Sequence, residues 1–209
     1  MRILLSVATA ITILAVALLI LFTSVWTHFA IGASGGDKFL ATPGQALDIS
    51  DRTIGEVLVG PGTFAFDGPG GQPFYTADEA AHMRDVRVVL YGFLLIALAS
   101  LVIVTASVLR APRNASRWSA ISRGGAGLVI AVIALGVFGI VGFDTAFTFF
   151  HEIFFPGGNW AFPADSNLIQ LYPEPFWELS AAALGVLAAG GGIAIWFLAR
   201  RRAAALEAA

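Results

Sequence analysis

The sequence predicts a membrane α-helical protein, a four-transmembrane-helix bundle with a small extracytoplasmic β-rich layer. Of its 209 residues, 57% are hydrophobic and only 12% are charged, whereas about 25% of the residues of a soluble domain are charged. Four apolar runs are long enough to cross a hydrocarbon core, which takes about 20 residues of helix. These runs are Ile3 to Trp26, Val88 to Leu109, Gly124 to Phe143 and Trp177 to Leu198.

The runs divide the chain into eight consecutive elements. They are transmembrane helix 1 (1–27), an extracytoplasmic β-rich segment ending in a juxtamembrane helix (28–87), transmembrane helix 2 (88–110), a basic cytoplasmic loop (111–123), transmembrane helix 3 (124–143), an extracytoplasmic loop rich in His and aromatic residues (144–176), transmembrane helix 4 (177–199) and a cytoplasmic tail (200–209). The first run is longer than the apolar region of a signal peptide, about 7 to 15 residues, so we expect a retained anchor.

The positions of the cations predict the orientation, because short loops rich in Lys and Arg stay in the cytoplasm. Eight of the 12 Lys and Arg residues lie before the first run, between the second and third, or after the fourth. We therefore expect both termini in the cytoplasm, with residues 28–87 and 144–176 outside. The net charge of −2 and the lack of a long basic run give no electrostatic footprint for nucleic acid.

The first outer segment has the composition of short strands. Gly55 to Gly71 reads GEVLVGPGTFAFDGPGG, in which Glu56 to Val59 and Thr63 to Phe66 flank a Gly-Pro-Gly turn. Apolar runs of this length between Gly and Pro are typical of β-strands. About 60 residues bury little surface alone, so we expect this layer to rest on the membrane or on the other outer loop.

A helix is predicted to start at the end of that segment and to continue into the second span. Thr76 and Glu79 match a capping box. Steps of three then place Glu79, His82 and Asp85 on one side of the helix. Arg84 and Arg87 lie on another side, which suits contact with lipid headgroups.

The end of the third span carries a similar polar face. Asp144, Thr148 and His151 are spaced at i, i+4 and i+7, while a separate stripe of phenylalanines includes Phe147. An imidazole that titrates near pH 6.5 can accept and return a proton at ambient pH. The third histidine, His28, has no acidic neighbour in the sequence, and we interpret it as an interfacial residue.

The residue types restrict the chemistry. The chain has no cysteine and no SxxK motif, so we expect a reaction in which the substrate carries its own nucleophile. His151-Glu152 is followed by Ile153, Phe154 and Phe155, so the zinc motif HExxH fails at its second histidine. No metal and no cofactor are expected. No ionisable residue lies in the middle of a span, which argues against a transporter.

Two outer motifs suggest a family. DEAAHMRDVR before the second span and FHEIFFPGGNWAFPADSNLIQLYPEPFW between the third and fourth, in a four-span layout, resemble the bacterial lipoprotein intramolecular transacylases. The resemblance implies a cytoplasmic-membrane enzyme that acts on diacylated lipoproteins. Such an enzyme moves the sn-2 acyl chain of the glyceryl group to the α-amine of the N-terminal cysteine. It also implies that His151 is the base and His82 the oxyanion stabiliser, although which histidine has which role stays open.

Further residues are assigned on position alone. Asp85, Asp144, Glu152 and Asp165 are candidate supporting residues, and the candidate substrate-binding residues are Arg84, Arg87, Phe147 and Trp160. The expected partners are the N-terminus of a diacylated lipoprotein and membrane lipid. The alternative is a non-catalytic membrane protein that binds lipid or lipoprotein through its outer segments.

Overall fold

The computed structural model describes the backbone of residues 1–209 and all side chains except those of Phe138, Ile140 and Val141. Its helices are α1 (Arg2–Leu21), α2 (Ser24–Ser34), α3 (Pro43–Leu58), α4 (Ala77–Arg110), α5 (Ala115–Val141), α6 (Phe143–Phe154), α7 (Asn167–Leu171) and α8 (Glu174–Glu207). Over the part of the chain described, four helices are long and apolar enough to span a membrane: α1, α4, α5 and α8. The chain is a multi-pass membrane protein, as its composition predicts.

The first apolar run is not one continuous helix. α1 ends at Leu21, and α2 begins at Ser24 after Thr23, whose side-chain oxygen accepts a hydrogen bond from the Trp26 amide. Threonine in this extended conformation is a favourable N-cap. Hydropathy alone does not show this break, because Thr23 and Ser24 are two weakly polar residues within a run that is otherwise mostly apolar up to Trp26.

One compact unit consists of Met1–Ile20, Gly92–Val141 and Ala182–Ala209. Its helices approach closely at small residues, as is common between helices in membranes. A Cβ added at Gly125 would collide with the backbone of Gly192, and Ala120 and Ala188 are fully buried. Many large apolar side chains on these helices are exposed, among them Leu95, Ile130, Leu135 and Val186. Small residues thus lie between the helices and large apolar residues face outward, as expected for helices surrounded by lipid tails.

The second compact unit consists of Leu21–Tyr91 and Gly142–Ala181, and here the prediction of a β-rich layer is wrong. Among the described residues there is no strand, and the sheet-like pairing is limited to an isolated bridge between Asp67 and Pro73. Glu56 to Val59, predicted as a strand, forms the end of α3 and its cap. Thr63 to Phe66 is irregular chain.

α3 is helical because its buried residues repeat with a helical period. Its buried side chains are Ala46, Ile49, Ser50, Thr53 and Val57, a spacing that covers one helix face. Thr42 and Gln45 form a capping box, and Pro43 occupies the first turn. Tertiary hydrogen bonds join this face to the rest of the unit: Thr53 Oγ1 lies 2.8 Å from the Tyr75 hydroxyl, and Ser50 Oγ lies 3.1 Å from the Tyr172 hydroxyl.

Candidate active site

The first turn of α4 is fixed by the capping box that the sequence predicts. The Thr76 amide donates to Glu79 Oε2 at 2.7 Å, and the Glu79 amide donates to Thr76 Oγ1 at 3.2 Å. Glu79 is only 1% exposed, and its Oε1 accepts from the Leu168 amide at 2.9 Å. One carboxylate therefore joins the start of α4 to α7, one turn before His82.

His82 lies on the buried side of α4 and is 6% exposed. Phe155 and Phe162 meet its ring edge-on, with centroids 4.9 and 5.6 Å away. Its Nδ1 is buried and has no hydrogen-bond partner among the described residues. Burial in apolar surroundings disfavours an imidazolium, so this environment suits a neutral ring that has one N–H donor.

His151 lies in the last turn of α6 and is 9% exposed. Its Nδ1 is 2.8 Å from the carbonyl oxygen of Phe147, one turn earlier. A carbonyl oxygen can only accept, so Nδ1 carries the proton. The lone pair of the neutral ring is then on Nε2, which is the arrangement that a general base needs.

The two imidazoles converge although 69 positions separate them in the chain. Their ring centroids are 6.1 Å apart, and the planes are inclined by 27°. Burial is the largest influence on His151 and lowers its pKa, while the hydrogen bond to the Phe147 carbonyl opposes that shift. Two charged rings this close would also repel each other, so the pair favours neutral imidazoles.

Aromatic side chains surround His151. Its ring centroid lies 4.0 Å from that of Phe147, 4.9 Å from that of Trp160 and 5.5 Å from that of Phe155. Trp160 is held in place next to Asn159, whose Nδ2 donates to Asp85 Oδ2 at 2.7 Å. The pair is thus enclosed by rings from α6 and the following loop, and the loop is tied back to α4 one turn after His82.

The family model described as lipoprotein intramolecular transacylase Lit matches residues 45–177, well over half of the chain and both buried histidines. The chain belongs to the lipoprotein intramolecular transacylase family. The family resemblance of the two outer motifs is thereby confirmed.

Comparison with solved structures shows the transacylase fold. The chain is similar to the membrane integral lipoprotein intramolecular transacylase Lit from Bacillus cereus, with a TM-score of 0.83 at 20% identity, over 100% of this chain and 96% of that chain. A variant of the same protein, in which one histidine is replaced by alanine, gives a TM-score of 0.78 at 20% identity, over 100% of this chain and 94% of that one.

Similarity to a curated sequence is more limited. An uncharacterized protein of Aquifex aeolicus (strain VF5) is 26% identical over 128 residues, which is 61% of this chain and 57% of that relative. The match thus spans little more than half of the relative's length.

Of the acids predicted to support the site, only Asp85 lies within hydrogen-bonding reach of the loop over the pair, through Asn159. Asp144 is exposed at the start of α6 and interacts with Glu174. Glu152 is exposed on α6, and the described contact of Asp165 is made by its backbone oxygen, which accepts from Gln170. The structure therefore does not bring these three carboxylates to the histidine rings.

The residues predicted to bind substrate divide into two groups. Phe147 and Trp160 contact the His151 ring. Arg87 instead donates to the carbonyl oxygens of Glu56 and Gly60 at the end of α3, and Arg84 donates to the carbonyl of Thr63 at 3.3 Å. Both guanidinium groups thus have partners in the backbone of the segment that follows α3.

Sequence reasoning missed several residues of this site and one contact of His28. Phe155 and Phe162 pack on His82, and Glu79 joins α4 to α7. The sequence analysis placed Glu79 in the capping box and on the side of His82, but it did not predict the hydrogen bond from the Leu168 amide. Nothing in the sequence pairs Phe162 with His82. His28 has an acidic neighbour in space, since its Nε2 lies 2.9 Å from Asp51 Oδ1.

Proposed function

We propose that this chain catalyses the intramolecular transfer of the sn-2 acyl group of a diacylglyceryl lipoprotein to the α-amine of its N-terminal cysteine. The observation that carries the proposal is the stacked pair of buried imidazoles, His82 and His151, with ring centroids 6.1 Å apart. Membership in the lipoprotein intramolecular transacylase family supports the choice of substrate. No protein nucleophile is needed, because the amine and the ester belong to one molecule and only have to be held at attack distance.

His151 acts as the base in this scheme. Its Nε2 takes a proton from the α-amine as the amine nitrogen bonds to the ester carbonyl carbon, which gives a tetrahedral intermediate. The carbon–oxygen bond to the glyceryl group then breaks, and His151 returns the proton to the leaving glyceryl oxygen. The product is an amide with a free sn-2 hydroxyl. The hydrogen bond from Nδ1 to the Phe147 carbonyl holds the tautomer that this shuttle requires.

His82 supplies a hydrogen bond to the oxyanion of the intermediate. A donor in a buried site is worth more than one in bulk solvent, because the local dielectric is low. The neutral ring of His82 retains one N–H for this purpose. Phe155 and Phe162 fix its position, and Asp85 supports the site through Asn159.

We also propose an orientation for the chain in the bacterial cytoplasmic membrane. Both termini and the 111–123 loop face the cytoplasm, and residues 28–87 and 144–176 face outward with the site. The distribution of arginine supports this orientation. The outward side is where a processed lipoprotein presents its N-terminus, with its acyl chains remaining in the bilayer.

Mass spectrometry of a model lipoprotein tests the activity. After incubation with purified protein, the N-terminal peptide should keep its mass but gain an amide-linked acyl chain and lose its free amine, as read from fragment ions and amine labelling. His151→Gln and His82→Gln should each lower the rate at least about 100-fold, the usual contribution of a positioned acid or base. His28→Gln is the matched control and should retain the wild-type rate. An unchanged N-terminus with folded wild-type protein rules the activity out.

A second candidate function is binding of lipid or lipoprotein without chemistry. The exposed rings of Phe149, Phe150 and Phe154 on α6 favour it. In that case the lipoprotein is retained unmodified, and changes at Phe147 or Trp160 weaken retention more than changes at either histidine. The same incubation separates the two functions, because only one of them alters the N-terminus.

A further inference from the structure

A cavity of about 270 Å³ with a mixed polar and apolar lining lies in the first compact unit, and neither histidine lines it. It is formed where α1 begins, where α4 ends and where α5 begins. Its polar lining comes from Arg2, Ser107, Asn114, Ser116 and Arg117. The proposed acyl transfer uses none of these residues.

The charge around this cavity is of one sign. The residues of this unit include eight arginines and a single acidic side chain, that of Glu207. The first turns of α1 and α5 contain no acidic residue. Two arginines therefore line the cavity in a compact unit whose only acidic side chain is that of Glu207. The positive end of the α5 dipole adds to the same field.

Arg117 is held in place but has unused hydrogen-bonding capacity. Its Nη1 donates to the Ser107 carbonyl at 2.7 Å, and its backbone amide donates to Asn114 Oδ1 at 3.1 Å. Its Nε is buried and has no acceptor among the described residues. A buried N–H without an acceptor is costly, and a guanidinium is suited to a bidentate oxyanion such as phosphate.

We propose that this cavity binds the phosphate group of a membrane phospholipid. Arg117 and Arg2 contact the phosphate oxygens, with Ser116 as a neutral donor. A lipid is favoured over a soluble anion because the cavity opens at the ends of spanning helices. Apolar side chains next to it are exposed, including Ile3, Leu4 and Leu109, and acyl chains can lie along them. The bound headgroup ties α1, α4 and α5 together.

Thermal unfolding of the delipidated full-length protein in a neutral detergent tests the site. The protein is titrated with dihexanoylphosphatidylglycerol and, in a separate series, with inorganic phosphate. The wild type should show a saturable rise in Tm with the lipid. Arg117→Gln should weaken the apparent Kd about tenfold, the loss expected for one charge-assisted contact. Arg200→Gln, at an exposed arginine of the same unit, is the control and should bind like wild type.

Four results have distinct meanings. The Arg2 side chain has no described intramolecular hydrogen bond, so Arg2→Gln should weaken lipid binding without loss of folding. If Arg117→Gln does not fold, the affinity of Arg2→Gln alone tests the site. If both Arg2→Gln and folded Arg117→Gln bind the lipid with wild-type affinity, the proposed phosphate site is wrong. An equal, competing rise in Tm with inorganic phosphate overturns the lipid as ligand. His151→Gln should bind the lipid with wild-type affinity, so this test is independent of the proposed acyl transfer.

Discussion

Two opposing influences act on the pKa of His151. Burial lowers its pKa, and the donor bond from Nδ1 to the Phe147 carbonyl partly offsets that effect. Because the carbonyl accepts, the proton of the neutral ring is held on the nitrogen that faces the helix. The lone pair of the neutral ring is then on Nε2, as the proposed role of His151 as the base requires.

The lowered pKa of His151 predicts how stability depends on pH. In the unfolded chain this ring titrates near pH 6.5, and in the folded protein it titrates lower. Below about pH 6.5 the unfolded state binds more protons, so the folded state loses stability as pH falls through the folded pKa. Tm measured from pH 8 to pH 5 should fall, and His151→Gln should show a shallower fall. Parallel curves for the two proteins would contradict the assignment.

At the residue scale, the sequence predicted the two histidines and part of their surroundings. Helical spacing and the motifs marked His82 and His151, and the same logic marked Asp144, which lies beside Glu174 instead. Spacing reports which residues share a helix face, but it does not report what packs against that face. The contacts of Phe155 and Phe162 with His82 depend on how the loop after α6 folds back, which no periodicity encodes.

At the level of elements, α4 and α7 are joined by Glu79. Its carboxylate accepts from the Thr76 amide within the capping box and from the Leu168 amide at the start of α7. The first contact is local and predictable from the sequence. The second crosses 89 positions and fixes the loop that carries Trp160 relative to His82.

Replacing Glu79 tests this link. Glu79→Ala leaves two backbone donors without their acceptor and should lower the free energy of unfolding by at least about 3 kcal/mol, since hydrogen bonds to charged groups contribute about 1.5–3 kcal/mol each. Glu79→Gln retains one acceptor oxygen and should cost about half as much. Denaturant titration in detergent measures both. Glu178→Ala, at an exposed glutamate of the same unit, should change stability by less than about 0.5 kcal/mol.

The predicted β-rich layer failed at the level of elements for a physical reason. Short apolar runs between Gly and Pro resemble strands, but Glu56 to Leu58 ends a helix whose other buried positions include the polar Ser50 and Thr53. Those hydroxyls are buried because Tyr172 and Tyr75 provide hydrogen-bond partners. Because part of the buried face is polar, the mean hydropathy of α3 is low although its buried positions follow a helical period. The strand prediction considered only the short apolar run at the end of this helix and did not use that period.

At the scale of the whole molecule, spans were predictable because the bilayer imposes a length and a polarity on them. Hydropathy marked all four candidate spans, although it extended the first past the end of α1. The orientation in the membrane is a further prediction. It can be tested by cysteine labelling because the sequence contains no cysteine. Single cysteines can be introduced without background labelling.

Labelling of intact cells with a membrane-impermeant maleimide should report the orientation. Gly70→Cys, at an exposed position where a side chain meets no neighbour, should label in intact cells. Ala208→Cys, exposed near the C-terminus, should label only after the membrane is opened. The cysteine-free parent is the control. Labelling of Ala208→Cys in intact cells would show the opposite orientation.

In the proposed reaction, the aromatic rings around the two histidines limit which nucleophile reaches an acyl carbonyl bound beside the pair. Phe147, Phe155, Phe162 and Trp160 leave little room for solvent beside either imidazole. An activated ester in bulk water can be hydrolysed, which would release a free fatty acid and leave the α-amine without an acyl chain. In this enclosure the tethered amine competes with few water molecules, so the ratio of amide to fatty acid formed should fall when Trp160 is made small.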